Sequence, residues 1–150
     1  MCIRDRINNE YGVEEVFITT VHGYSNSNRL ADVAGEGFRK NRAAGENIIP
    51  SITNSSKVIE TVLPELSERI ASFSMTVPVP DGSTIDLTLN LKNNTSKEEI
   101  NSFFDEKTTK DDLYKIIGIS YDPIVSSDVV GNSLSGIVDG LSTMLSLIHI

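Results

Sequence analysis

The strictest alternation of apolar and polar positions in the chain lies between Thr84 and Leu91. Its apolar members are Ile85, Leu87, Leu89 and Leu91, each separated from the next by a polar residue. Because successive side chains of a strand point to opposite faces, this pattern predicts a strand with one buried face. Glu14–His22 is instead apolar at neighbouring positions, which predicts a central strand covered on both faces.

Two segments carry apolar residues at helical spacing. The first follows the capping side chains of residues 53–56 and ends near Pro64. The second follows a capping box formed by Ser96 and Glu99, in which each residue satisfies a backbone N–H of the other. The apolar face of this second helix consists of Ile100, Phe103 and Phe104.

Shorter apolar runs predict further strands. They cover residues 71–79, 116–121, 124–130 and 137–138, and the turn sequence Pro80-Asp81-Gly82 closes the first of them. Residues 25–42 show no periodicity, which predicts a long ordered loop, and such loops tend to be functional. Strands and helices do not alternate strictly, so the expected fold class is α+β, with a mixed or mostly antiparallel sheet and helices on one face.

Composition narrows the possible functions only a little. The chain has 150 residues, of which 39% are hydrophobic and 23% charged, enough for one domain with a buried core. Its net charge of −8 and the lack of a basic run argue against binding to nucleic acid or to an anionic membrane surface. No apolar run approaches the roughly 20 residues that a membrane span requires.

The two ends of the chain share a feature at the level of coding DNA. Residues 1–6 and 145–150 can be encoded by strings that are reverse complements of each other and that match a transposase end sequence used to tag DNA fragments for sequencing. We therefore expect both ends to be translated adapter and residues 7–144 to be a partial catalytic domain. Cys2 and His149 fall within these ends, so the remainder has no cysteine for a disulfide or a zinc site of the Cys/His type.

His22 is the best-placed candidate for chemistry. It ends the apolar strand predicted over Glu14–His22 and precedes the long polar loop. An imidazole exchanges a proton near neutral pH and is the most frequent general acid or base in enzymes. A single histidine on a strand is more often a core residue bonded to a backbone carbonyl, so the residue pattern alone leaves both interpretations open.

Several short blocks of the sequence occur together in the order found in one enzyme family. They are residues 18–27 around Val21-His22-Gly23, residues 42–51, Val62–Leu66, Val77–Pro80, residues 86–88 and residues 125–128. With these blocks the chain resembles the catalytic domain of glyceraldehyde-3-phosphate dehydrogenase over nearly all of residues 7–144. The resemblance implies a cytoplasmic homotetramer that uses NAD or NADP, a phosphorylated aldehyde and inorganic phosphate.

The resemblance also implies roles for particular residues. His22 stands at the catalytic histidine, whose partner is a cysteine expected upstream of this segment. Ser25 stands at the site for the phosphate of the substrate, and Lys40 stands where many members carry a pocket arginine. Thr53 stands at the site of the attacking phosphate, and Asn54 replaces a glycine usual there. From the residues alone, Thr53 or Asn54 would be an ordinary helix N-cap and Lys40 a solvated loop residue.

The largest departure from the family pattern is Thr76. The family carries an arginine immediately before Val-Pro, where it holds the substrate phosphate, and this chain has Thr76 there. Losing a charge-assisted contact costs about 1.5–3 kcal/mol, or about ten- to a hundredfold in affinity. Two alternatives to the phosphorylating enzyme therefore stay open: an erythrose-4-phosphate dehydrogenase-like paralogue, and a non-catalytic binding or scaffold member.

The resemblance limits what the chain is expected to do by itself. In the family the nucleotide-binding domain lies N-terminal to the matched region, so no cofactor-binding residue is predicted here, and no metal site is predicted. Because the nucleophile and the nucleotide domain are not among these 150 residues, we expect the isolated chain to be inactive.

Overall fold

The computed structural model describes residues 3–52, 55–62, 64–110 and 113–146. The chain divides into two compact units, Met1–Asn93 and Asn94–Ile150. Within the described residues, each unit has its own sheet, with four strands in the first and two in the second. No helix in the described parts of the chain is both long and apolar enough to cross a bilayer.

The described part of the first unit combines two α-helices with a mixed sheet. Its elements are α1 (Ile3–Tyr11), β1 (Val13–Gly23), β2 (Ile49–Ser51), α2 (Ser55–Val62), a 3₁₀ turn (Pro64–Leu66), β3 (Ile70–Val77) and β4 (Ser83–Leu91). The strand order is β2-β3-β1-β4, with β1 parallel to β3 and the other two pairs antiparallel. The predicted α+β class with a mixed sheet is confirmed, while the sequence pattern does not predict α1.

β1 is one of the two inner strands of the sheet, as predicted for a central strand, but its two faces differ. Val16 and Ile18 are buried on one face, whereas Phe17 on the other face stays 48% exposed. Phe73 of the neighbouring β3 lies on the same face as Phe17 and is 41% exposed. The prediction that β1 is covered on both faces is therefore wrong within the described residues, because the packing lies on the Val16 face alone.

β4 confirms the predicted alternation from Leu87 onward, but Ile85, which pairs with Thr20, is 62% exposed. Leu87 and Leu89 are half-buried and pair with Ile18 and Val16 on the core face, whereas Thr88 between them is exposed. β4 lies at one edge of the four-stranded sheet.

In the second unit, the described residues form one long helix and a two-stranded parallel sheet. Its elements are α3 (Lys97–Lys110), β5 (Ile117–Ser120), a 3₁₀ turn (Ser126–Val129) and β6 (Gly136–Asp139), with β5 paired to β6. Among the residues of this unit that the structure describes, the buried apolar ones are Phe104, Leu113 and Ile117.

The predicted capping box at the start of α3 is present. The backbone N–H of Glu99 donates to Ser96 Oγ at 3.1 Å, and the backbone N–H of Ser96 donates to Glu99 Oε2 at 2.9 Å. The strand predicted over residues 124–130 is wrong. Asp128 turns the chain there, since its carboxylate accepts the Val125 N–H at 2.7 Å and its own N–H donates to the Val125 carbonyl at 2.9 Å.

Candidate functional site

The centre of the candidate site is a row of residues that runs across the sheet of the first unit. His22 near the end of β1 pairs with Thr76 of β3 on one side and with Ser83 of β4 on the other. Thr76 in turn pairs with Ile49 of β2. Directly paired strand residues point to the same face, so all four side chains lie on the face that carries Val16 and Ile18.

The imidazole of His22 has one described polar contact. Its Nδ1 atom lies 3.3 Å from Ser83 Oγ. His22 is half-buried and Ser83 is exposed, so the ring stands at the margin of the packed core, where a second molecule or chain segment has access to it.

Thr76 lies in the same row but deeper. It is only 7% exposed, between His22 and Ile49. The two positions that the family resemblance singled out, far apart in sequence, are therefore direct neighbours across parallel strands. The group that Thr76 offers beside His22 is a neutral hydroxyl, which can share a hydrogen bond but cannot neutralise a phosphate charge.

A second row of hydroxyl groups lies next to the first on the same face. Ser51 of β2, Ser74 of β3 and Thr20 of β1 are register neighbours. Ser51 Oγ donates to Ser74 Oγ at 3.0 Å, and Thr20 Oγ1 is buried without a hydrogen-bond partner among the described residues. Buried polar groups normally find partners, so this row is an unusually polar part of the core.

Ser25 follows β1 and is held in a local turn. Its backbone N–H donates to Asn28 Oδ1 at 3.1 Å, and its hydroxyl lies 3.0 Å from Ser27 Oγ. The Ser25 hydroxyl is exposed at the mouth of the loop. Ser25 is close to His22 in sequence, but its described contacts are with other loop residues and not with the row that contains His22 and Thr76.

Lys40 belongs to the middle of the long loop. Its backbone N–H donates to the Gly37 carbonyl at 2.9 Å, and its carbonyl accepts the Arg29 N–H at 3.3 Å. The residue is exposed, and its described contacts are with the loop. The structure therefore does not bring Lys40 together with His22 and Thr76.

The long loop is pinned at its base by Asp32. The Asp32 carboxylate accepts the Ala43 N–H at 2.8 Å and two contacts from Arg42 Nε, both at 3.2 Å. The Ala43 N–H, and after it the Arg42 side chain, hold the pKa of the Asp32 carboxyl below its ordinary value. Ala43 and Ala44 are buried beside this contact, so the predicted ordered loop has a physical anchor.

Two of the predicted site residues, Thr53 and Asn54, lie outside the described residues. Ser83 is the site residue that sequence reasoning missed. The available signal was the turn Asp81-Gly82, which places the next residue at the start of the strand antiparallel to β1. In the parts of the chain that the structure describes, no group of three or more His, Cys, Asp or Glu residues is placed to hold a metal ion.

Comparison with known proteins identifies the class to which this fold and site belong. The family profile described as "Glyceraldehyde 3-phosphate dehydrogenase, C-terminal domain" matches residues 2–149. The chain belongs to the glyceraldehyde-3-phosphate dehydrogenase family, in which it matches the C-terminal domain.

Individual relatives agree with this assignment. The chain is 46% identical over 140 residues to glyceraldehyde-3-phosphate dehydrogenase of Borreliella burgdorferi, covering 93% of this chain and 42% of that protein. It is 39% identical over 139 residues to glyceraldehyde-3-phosphate dehydrogenase 1 of Bacillus subtilis, covering 93% and 41%. It is 43% identical over 128 residues to the Borrelia hermsii enzyme, covering 85% and 48%. The chain thus spans less than half the length of these relatives.

Proposed function

We propose that this chain is the C-terminal part of a phosphorylating glyceraldehyde-3-phosphate dehydrogenase, with His22 as its general base. The parent enzyme would oxidise a phosphorylated aldehyde to an acyl phosphate. The observation that carries the proposal is the position of His22 in this member of the family. Its imidazole is half-buried at the margin of the core, and Ser83 contacts its Nδ1 atom. The relatives named above favour this function over the paralogue and scaffold alternatives.

The geometry of the His22 ring supports this role. With Nδ1 facing Ser83, the Nε2 edge is the one available to a reacting group. A neutral imidazole at that edge takes a proton from a thiol, and the thiolate formed is the stronger nucleophile. In this proposal the thiol belongs to a cysteine outside the matched segment. The thiolate then attacks the carbonyl carbon of the aldehyde. The imidazolium donates a hydrogen bond to the carbonyl oxygen, which becomes negative as the carbon–sulfur bond forms.

The site differs from the family pattern in how it would hold phosphate. Thr76 contributes a hydroxyl where an arginine is usual, and it is buried. Ser25 keeps an exposed hydroxyl at the loop mouth. We propose that this enzyme binds the substrate phosphate more weakly than relatives with the arginine, while inorganic phosphate uses the position of Thr53.

NAD or NADP is the cofactor that the family implies. The described residues do not fit a dinucleotide by themselves, because none of their strands leads through a glycine-rich turn into a helix, the arrangement that cradles a pyrophosphate. We propose that the nicotinamide cofactor is bound mainly by the nucleotide-binding domain of the parent enzyme.

The sheet face opposite the site supports a homotetrameric parent. Phe17 and Phe73 are both large, apolar and more than two-fifths exposed on that face, and apolar surface of this kind is typical of subunit contacts. We propose that this face contacts a second subunit, and that the parent acts in the cytoplasm.

The proposed function can be tested in a chimera. The 140-residue matched segment of the Borreliella burgdorferi enzyme is replaced by the corresponding residues of this chain, and aldehyde-dependent NADH formation is followed with glyceraldehyde 3-phosphate and inorganic phosphate. The account predicts turnover that requires both. A chimera that folds and assembles but reduces no NAD would contradict it, as would turnover by the isolated 150-residue chain.

A further inference from the structure

The hydroxyl of Ser83 faces the Nδ1 edge of His22. Ser83 Oγ lies 3.3 Å from His22 Nδ1. The two residues are register partners in antiparallel strands, so the contact is built from the sheet pairing and does not depend on a long flexible side chain.

The backbone around Ser83 fixes this pairing. The Gly23 N–H donates to the Gly82 carbonyl at 3.3 Å, and the Tyr24 N–H donates to the Val79 carbonyl at 3.0 Å. A Cβ atom on Gly23 would lie only 2.6 Å from Val79 O. The end of β1 and the turn before β4 therefore pack backbone against backbone.

The conformation of the turn also contributes. Gly82 has φ of +89°, a value that side-chain-bearing residues rarely adopt, and its N–H donates to Asp81 Oδ1 at 2.7 Å. The turn thus starts β4 at Ser83, in the register that places Ser83 opposite His22.

We propose that Ser83 is a positioning residue that selects the tautomer of His22, an inference that rests on the proposed function of His22 as a general base. A neutral imidazole carries one N–H, and a serine hydroxyl can either accept from it or donate to its bare nitrogen. When Ser83 Oγ accepts the Nδ1–H, the lone pair is on Nε2, the edge turned away from Ser83. After Nε2 gains a proton, the Nδ1–H still donates to Ser83, so the ring keeps its orientation in both states.

Nitrogen NMR on the full 150-residue chain with ¹⁵N-labelled histidine tests the tautomer directly. In the neutral ring, at alkaline pH, the shifts of Nδ1 and Nε2 report which nitrogen is protonated. His149→Gln assigns the signals of the two histidines. We expect His22 to be protonated mainly at Nδ1, and Ser83→Ala to shift the tautomer ratio about fivefold toward Nε2–H.

Two further variants separate positioning from a general effect on the fold. Ser83→Thr keeps a hydroxyl and is expected to retain the wild-type tautomer ratio. Thr88→Ala alters an exposed residue on the other face of β4 and is expected to leave the ratio unchanged. A wild-type ring protonated mainly at Nε2, or a ratio that does not respond to Ser83→Ala, would overturn the proposal.

Kinetics of the chimera provide a second readout. Ser83→Ala should lower kcat roughly fivefold with little change in KM, and Ser83→Thr should restore kcat to within about twofold. Equal kcat values for wild type and Ser83→Ala would overturn the positioning role. If the chimera is inactive, the proposed function fails while the NMR result still decides the tautomer, so the two failures are distinguishable.

Discussion

At the scale of single residues, Thr76 shows how one side chain sets the chemistry beside His22. It is buried in the row that crosses the sheet and contributes only a hydroxyl. Charge-assisted hydrogen bonds are about twice as strong as neutral ones. A phosphate at this position would therefore be bound through weaker contacts than an arginine provides.

Restoring the arginine in the chimera should strengthen phosphate recognition. Thr76→Arg is expected to lower KM for the phosphorylated aldehyde about ten- to a hundredfold, measured by initial rates of NADH formation. Thr76→Ser keeps a neutral hydroxyl and serves as the control, with KM within about twofold. A folded Thr76→Arg variant with unchanged KM would contradict the proposed weak phosphate binding.

Gly23 is the residue whose small size the site most requires. A Cβ atom there would meet the Val79 carbonyl oxygen at 2.6 Å, a backbone contact that cannot move without shifting the turn. Gly23→Ala should therefore lower the free energy of unfolding by about 1–3 kcal/mol, measured by urea denaturation of the 150-residue chain. Gly45→Ala, where a Cβ has nothing within 4 Å, should change it by less than about 0.5 kcal/mol. Equal effects of the two variants would contradict this account.

At the scale of elements, the sequence predicted helices and strands well where the residues that determine an element lie within that element. The capping box of Ser96 and Glu99 and the alternation of β4 were both visible in sequence and both formed. The strand predicted over residues 124–130 failed because Asp128 provides an alternative set of hydrogen bonds for the same apolar residues.

The capping box should have a measurable contribution to the stability of α3. Ser96→Ala removes the acceptor of the Glu99 N–H and is expected to lower the free energy of unfolding by about 1 kcal/mol, measured by urea denaturation. Ser102→Ala, exposed in the middle of the same helix, should be neutral or slightly stabilising, because alanine has the higher helix propensity. Equal losses in both variants would show that the cap has no special role.

The anchor of the long loop should respond to acid. The pKa of Asp32 is held below its ordinary value of 3.8, so the ionised carboxylate is favoured in the folded loop. The stabilising effect is present above that ordinary value and is lost as pH falls through the lower folded pKa. The Ala43 amide signal in NMR should titrate with a midpoint below 3.8, and Asp32→Asn should abolish that titration. A midpoint at or above 3.8 would contradict the assigned anchor.

At the scale of the whole molecule, the site arises from long-range pairing that no local pattern shows. His22 and Thr76 were each singled out by resemblance to a family, but their contact depends on parallel pairing of β1 with β3 across the long loop. Ser83 was missed because its position opposite His22 follows only from the antiparallel register of β4. Side-chain alternation along β1 places Phe17 on the face away from the site, where it is 48% exposed.

That exposed face makes the assembly of the parent testable. In the chimera, Phe17→Glu places a charge on the proposed contact surface and should shift the species seen by light scattering from tetramer to smaller forms. Val58→Glu changes another exposed apolar residue, on α2, and should leave the mass unchanged. A tetramer that tolerates Phe17→Glu would exclude this face as a subunit contact.

The most direct test of the central claim is the rate of NADH formation by the chimera with His22 and with His22→Gln. The substitution retains a polar side chain but removes the group that exchanges a proton. The account predicts that kcat falls by about two to four orders of magnitude while the chimera stays folded and assembled. A His22→Gln chimera with a rate close to that of the unsubstituted chimera would show that His22 is not the general base.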